Sequence, residues 1–114
     1  MTIKRGNIHW ANLHEPDGST IICKPRPVIV VSNDDANYCS SIIHVVPLTS
    51  RKKRKLPTHV KISGYGLPCT STALVEQVKC IDKVALGNKI GTLANTEELQ
   101  KINKCLGVQL GFAS

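Results

Sequence analysis

Aromatic side chains are scarce in this 114-residue chain, which holds one Trp, two Tyr and one Phe. Val, Ile and Leu must therefore fill the interior. No apolar run approaches the ~20 residues that a membrane-spanning helix needs. Met1-Thr2-Ile3-Lys4 does not open a secretory leader, so a soluble cytoplasmic protein is expected. The five cysteines (Cys23, Cys39, Cys69, Cys80 and Cys105) form no C-x-x-C pair. None stands at metal-ligand spacing from a histidine, so reduced structural thiols are expected, with no metal and no cofactor. His9, His14, His44 and His59 are too dispersed to make a local pair and read as structural or surface residues. Internal repeats are also absent, and the length suits one domain over 1–114.

Acidic residues are missing from Ala36 to Val75, a stretch that holds Arg51, Lys52, Lys53, Arg54, Lys55 and Lys61. Across the chain, fifteen basic residues against eight acidic ones give a formal charge of +7. Such a surplus suits a phosphate backbone or an acidic protein partner, although a basic surface also serves solubility. The run Arg51–Lys55 would attract nucleic-acid phosphates without regard to sequence.

What is present reads as short strands followed by one helix. Ile8–Leu13 suits a strand anchored by Trp10, and His14–Lys24 has the Pro, Gly, Ser and Thr of a loop. Pro27–Val31 and Ile42–Leu48 are continuous apolar runs, as in strands buried on both faces. Asn33–Asn37 between them is turn-forming. Thr58–Ser63 alternates polar and apolar, Gly64–Pro68 turns, and Thr72–Val78 and Ile90–Leu93 complete the strands. Asn95 with Glu98 suggests a capping box. Leu99, Ile102, Leu106 and Leu110 then recur at helical spacing. The expected class is α+β, mainly β: a small SH3-like barrel with a C-terminal amphipathic helix.

Each of the two buried strands carries a polar residue suited to phosphate chemistry. Arg26 stands between Pro25 and Pro27, which restrict its backbone. Its planar fork can bind two phosphate oxygens and stays charged at ordinary pH. Thr49 and Ser50 place hydroxyls at the exit of the second strand. Trp10, Tyr38 and Tyr65 are the side chains that could stack on a base, with Trp10 better suited to the core.

Taken in order, Lys4-Arg5-Gly6-Asn7-Ile8, Gly18-Ser19, Arg26-Pro27-Val28, Ser32-Asn33-Asp34, Pro47-Leu48-Thr49-Ser50, Pro57-Thr58-His59-Val60, Glu76-Gln77-Val78, Ile81-Asp82-Lys83 and Lys89-Ile90-Gly91-Thr92-Leu93 resemble the MazF/PemK-like toxin family. These matches span nearly the whole chain. The resemblance implies a sequence-specific, metal-independent endoribonuclease acting on single-stranded RNA, with the ribose 2′-hydroxyl as nucleophile. It implies a homodimer and an acidic antitoxin partner. It assigns Arg26 and Thr49 as catalytic residues, and makes Ser50, Gln77, Ser19 and Glu76 further catalytic or RNA-binding candidates. Lys79 stands where relatives commonly have arginine. Two departures bear on base preference: Ile21-Ile22-Cys23-Lys24-Pro25 replaces the glycines usual before the arginine, and Thr70-Ser71-Thr72 replaces an acidic strand start. Two rivals are a gyrase-directed toxin of the same barrel and a non-enzymatic nucleic-acid-binding barrel.

Overall fold

The computed structural model describes residues 2–13, 25–52 and 55–113. Strands β1 (Asn7–Ala11) and β2 (Arg26–Val30) precede a short helix α1 (Asp34–Cys39), followed by the long strand β3 (Ile42–Thr49). Strands β4 (His59–Ile62), β5 (Ser71–Leu74), β6 (Lys79–Asp82) and β7 (Leu86–Thr92) lead to helix α2 (Glu97–Gln109). The sheet runs β4-β5-β3-β2-β1-β7, with β6 paired to the first half of β3, and every pairing is antiparallel.

β3 serves two partners on one side. Ile42–Val45 pair with β6, whereas Leu48 and Thr49 pair with β5. Pro47, which lacks an N–H, stands at the changeover between these ladders, where a missing donor disrupts least.

The two continuous apolar runs are explained by burial on both faces. Ile8, Ile29, Val46, Leu48, Val60, Ile62 and Ala73 point inward, where Leu93 and Ile102 join them. Ala11, Val28, Val30, Ile43, Val45 and Leu86 form a second cluster on the outer face. Ile102 is fully buried and lets α2 plug the mouth of the barrel. That burial is worth about 1.5–3 kcal/mol.

No ladder joins β4 to β7 among the described residues, so the barrel is curved but not closed by strand pairing. The turn after β4 fills the gap instead. A Cβ on Gly91 would collide with the Tyr65 carbonyl oxygen, and one on Gly66 with that of Ile90. The turn and β7 therefore pack backbone to backbone. The Tyr65 hydroxyl donates to Glu98 Oε2 at 2.5 Å, tying the turn to α2.

Several of the ordered motifs prove to be scaffold. Asn33 Oδ1 accepts from Ala36 N at 2.8 Å and caps α1. Asn37 is buried and donates to the Ser32 carbonyl at 2.9 Å, while Ser32 Oγ accepts from His44 N at 3.1 Å. Arg5 donates to the Val31 carbonyl at 2.9 Å and to Asn103 Oδ1 at 2.6 Å, joining strand to helix.

Four expectations need correction. Thr96, not Asn95, caps α2: its hydroxyl accepts from Leu99 N at 3.3 Å, and Asn95 turns the chain at φ 62°. Leu110 falls just past α2 and is exposed, so the apolar stripe ends earlier. The strand expected over Thr72–Val78 stops at Leu74, and Val75–Gln77 form a 3-10 turn. Strand β6 was not foreseen, and β7 begins at Leu86 instead of Ile90.

Candidate active site

β2 and β3 pair with Val28 opposite Pro47, Ile29 opposite Val46 and Val30 opposite Val45. Carried two residues further, the same register sets Arg26, the first residue of β2, against Thr49, the last of β3. Opposed residues, and those an even number of positions beyond them, share a face. That face is the outer one, since Arg26 alternates with Val28 and Val30, and Thr49 with Val45 and Ile43. Ala11 opposes Arg26 on the other side and presents only a methyl group. Thr72 of β5 opposes Thr49.

The two members differ in environment. Thr49 is buried, and its Oγ1 accepts from Arg51 N at 3.2 Å. A hydroxyl has one proton and two lone pairs, so this bond orients the group and leaves the proton to donate. Arg26 is exposed, and among the described residues it takes part in no ion pair. Among the described residues, no carboxylate competes for its fork. A cation near an oriented hydroxyl is the kind of arrangement that suits a phosphate gaining charge.

The other candidates divide. Ser50, Arg51 and Lys52 follow Thr49 directly and are exposed, as is Lys55. Ser19, Lys53 and Arg54 lie outside the described residues. Gln77 is exposed on the 3-10 turn after β5. Glu76 is engaged: its Oε2 meets His59 Nε2 at 3.0 Å, and its Oε1 accepts from Thr58 Oγ1 at 3.4 Å. These contacts brace β4 against the turn, which makes the Pro57-Thr58-His59-Val60 motif structural. Lys79 opposes Val45, on the same face as Thr49 but four residues away along β3, about 13 Å. It borders a cavity of about 720 Å³ with Ile42 and Val84.

Of the aromatics, Tyr38 is exposed, Trp10 is half-buried and Tyr65 is held by Glu98. The Tyr65 hydroxyl bond holds the Glu98 carboxyl below its ordinary value and raises the Tyr65 phenol above its own. Sequence reasoning passed over Thr72 as part of the site. Only its cross-strand partner marks it, and partners are set by register.

Residues 4–110 match the PemK-like, MazF-like toxin family of type II toxin–antitoxin systems. The chain belongs to this family. It is 38% identical over 115 residues to the endoribonuclease EndoA of Bacillus subtilis, covering 98% of this chain and 97% of that one. It is 34% identical over 113 residues to the endoribonuclease MazF of Staphylococcus saprophyticus, covering 96% and 92%. Among solved structures, a mycobacterial endoribonuclease in complex with its cognate antitoxin superposes with a TM-score of 0.76 at 24% identity, covering 98% of both chains. The fold of this MazF-like toxin is thus shared with that structure.

Proposed function

We propose that this toxin is an endoribonuclease that cuts single-stranded RNA, mRNA above all, at a short specific sequence without a metal ion. The reading is supported by the β2–β3 register, in which Val28 opposes Pro47; extended two residues, it brings Arg26 and Thr49 to adjoining strand ends. The ribose 2′-oxygen attacks the adjacent phosphorus while the bond from phosphorus to the 5′-oxygen breaks. The 2′-hydroxyl proton is lost and the leaving oxygen gains one, giving a 2′,3′-cyclic phosphate and a 5′-hydroxyl. Arg26 binds the non-bridging oxygens bidentately as negative charge builds on them. In this reading it also assists protonation of the departing oxygen. Thr49 donates to a phosphate oxygen or holds the 2′-hydroxyl. Ser50 and Gln77, both exposed, are further RNA contacts in this reading, and the exposed Arg51, Lys52 and Lys55 add sequence-independent attraction.

The partner in this reading is an acidic antitoxin whose tail competes for the basic surface, in keeping with the +7 charge. Relatives named endoribonucleases and the mycobacterial antitoxin complex support the assignment. The toxin acts as a homodimer in the cytoplasm, where mRNA is found.

The test is incubation in EDTA with an RNA substrate and with the same strand carrying 2′-deoxy sugars. Cutting is expected in the first only, with 2′,3′-cyclic ends, and Arg26→Ala should lose about 10²–10³-fold in rate. Scission of the deoxy strand, or loss of cutting on chelation, would overturn the mechanism. Binding without scission would make the protein a nucleic-acid-binding module.

A further inference from the structure

The β2–β3 register, extended two residues past Val28 and Pro47, brings Arg26 level with Thr49, and the β3–β5 and β5–β4 ladders carry the row across the sheet from there. Thr49 opposes Thr72 of β5, and Thr72 opposes Lys61 of β4. All four lie on the outer face, because their strand neighbours Val60, Ile62, Ala73 and Leu48 point into the core. The row spans three strand spacings, about 14 Å. It ends at the edge of the sheet, where β4 meets α2.

There a groove of about 440 Å³ opens between the edge strand and the helix. Lys55 and Lys61 line it from the chain around β4, and Lys101 and Lys104 from α2, with no Asp or Glu among its lining residues. Cys105 Sγ donates to the Pro57 carbonyl at 3.7 Å and holds the two walls together. Lys101, Lys104, Cys105 and Val108 fall on one helical stripe, so the helix presents its lysines to the groove by its own periodicity. The lining carries four ammonium groups and no carboxylate, with Glu98 near Lys101 and Glu76 on His59 the acidic neighbours, so its net charge favours an anion.

We propose that this lysine groove holds phosphates of the substrate RNA beyond the scissile bond. The protein then grips an extended strand lying across β2, β3, β5 and β4, instead of the cut phosphate alone. The inference rests on the endoribonuclease reading, and it adds Thr72, Lys61, Lys101 and Lys104 to the substrate path. Continuity with the Arg26–Thr49 row selects RNA over an acidic peptide as the occupant. Lysines act here as point charges on the backbone, so the groove contributes affinity and not base preference.

The experiment compares the full chain with a Lys61→Ala, Lys101→Ala, Lys104→Ala variant. All three positions are exposed, so folding should be kept, and a melting curve checks it. The probes are a short cleavable RNA, the same RNA extended at one end or the other, and matching strands with 2′-deoxy at the cut. For the non-cleavable strands, extension at one end should tighten binding to wild type, and the variant should lose that gain. Its slope of log affinity against log salt should be shallower by about 2, or ~0.7 per lost phosphate contact. Between roughly 50 and 200 mM salt, wild type should therefore lose about 20-fold more affinity than the variant. The short RNA should be cut equally by both.

Unchanged length dependence and salt slope in the variant would overturn the groove and leave the nuclease reading standing. So would a poly-glutamate peptide whose binding falls in the variant while RNA affinity does not move. If no RNA is cut but the deoxy strand still binds with the expected slope, the nuclease reading fails and the groove stands as a nucleic-acid site.

Discussion

If Arg26 and Thr49 grip one phosphate, their losses should not multiply, and a double-mutant cycle can read this directly. Arg26→Ala removes an exposed side chain, so stability should move by no more than about 0.5 kcal/mol. Thr49→Val keeps the shape of a buried residue and deletes the oxygen that accepts from Arg51 N at 3.2 Å. One net hydrogen bond is worth about 1 kcal/mol, a drop of about 4 °C in Tm for a chain of this size. The effect on cleavage should be larger. Removing one preorganised donor to a developing oxyanion costs about 10²–10³ in rate, or ~2.7–4 kcal/mol. Independent action predicts a double variant slower by about 10⁴–10⁶. Joint action on one phosphorane predicts a double variant little worse than the poorer single, because either loss spoils the same cradle. The assay is single-turnover cleavage of a fluorescent RNA at saturating protein, with Tm measured alongside. Strictly multiplicative losses, or full activity in either single variant, would refute the shared site that the register implies.

Gly91→Ala should unfold the seal between the turn and β7, because the new Cβ meets the Tyr65 carbonyl; a loss of about 1–3 kcal/mol in chemical denaturation is expected. Ile102→Ala should remove the plug of the barrel and cost about 2–5 kcal/mol, measured by the same method. Tyr65→Phe should lower Tm at neutral pH. Glu98 is held below its ordinary 4.5, so the Tyr65 bond contributes fully above that pH and fades as pH falls through the lower folded value. Wild type and variant should therefore converge in acid melts. The phenol is raised above 10.0, so the same contribution is lost again once alkaline pH ionises Tyr65.

The parts of this fold legible along the chain are those with a local cause. Continuous branched-aliphatic runs marked β2 and β3, because a strand covered on both faces has no polar side to alternate with. The helical stripe marked α2 for a similar reason, although its cap was misplaced by one residue. Asn95 and Thr96 are both good caps, and only the φ of 62° at Asn95 separates them. Strand β6 escaped because Lys79-Cys80-Ile81-Asp82 is short and largely polar, and exists as a strand through its pairing with β3. That Glu76 meets His59 and Thr58 could not be read along the chain, because those partners lie 17 and 18 residues away.

Composition and local pattern by themselves settled the mostly-β class, the terminal helix and the excess of positive charge, and offered Arg26 and Thr49 as side chains suited to phosphate chemistry. Each of these depends on the character of a residue and its near neighbours. Which side chains come to one face of the sheet was decided by tertiary structure alone. A slip of one residue between β2 and β3 would turn Arg26 and Thr49 to opposite faces without altering a single letter of the chain. The row through Thr72 to Lys61, and the lysine groove behind it, likewise exist only once β4 closes the edge of the sheet beside α2.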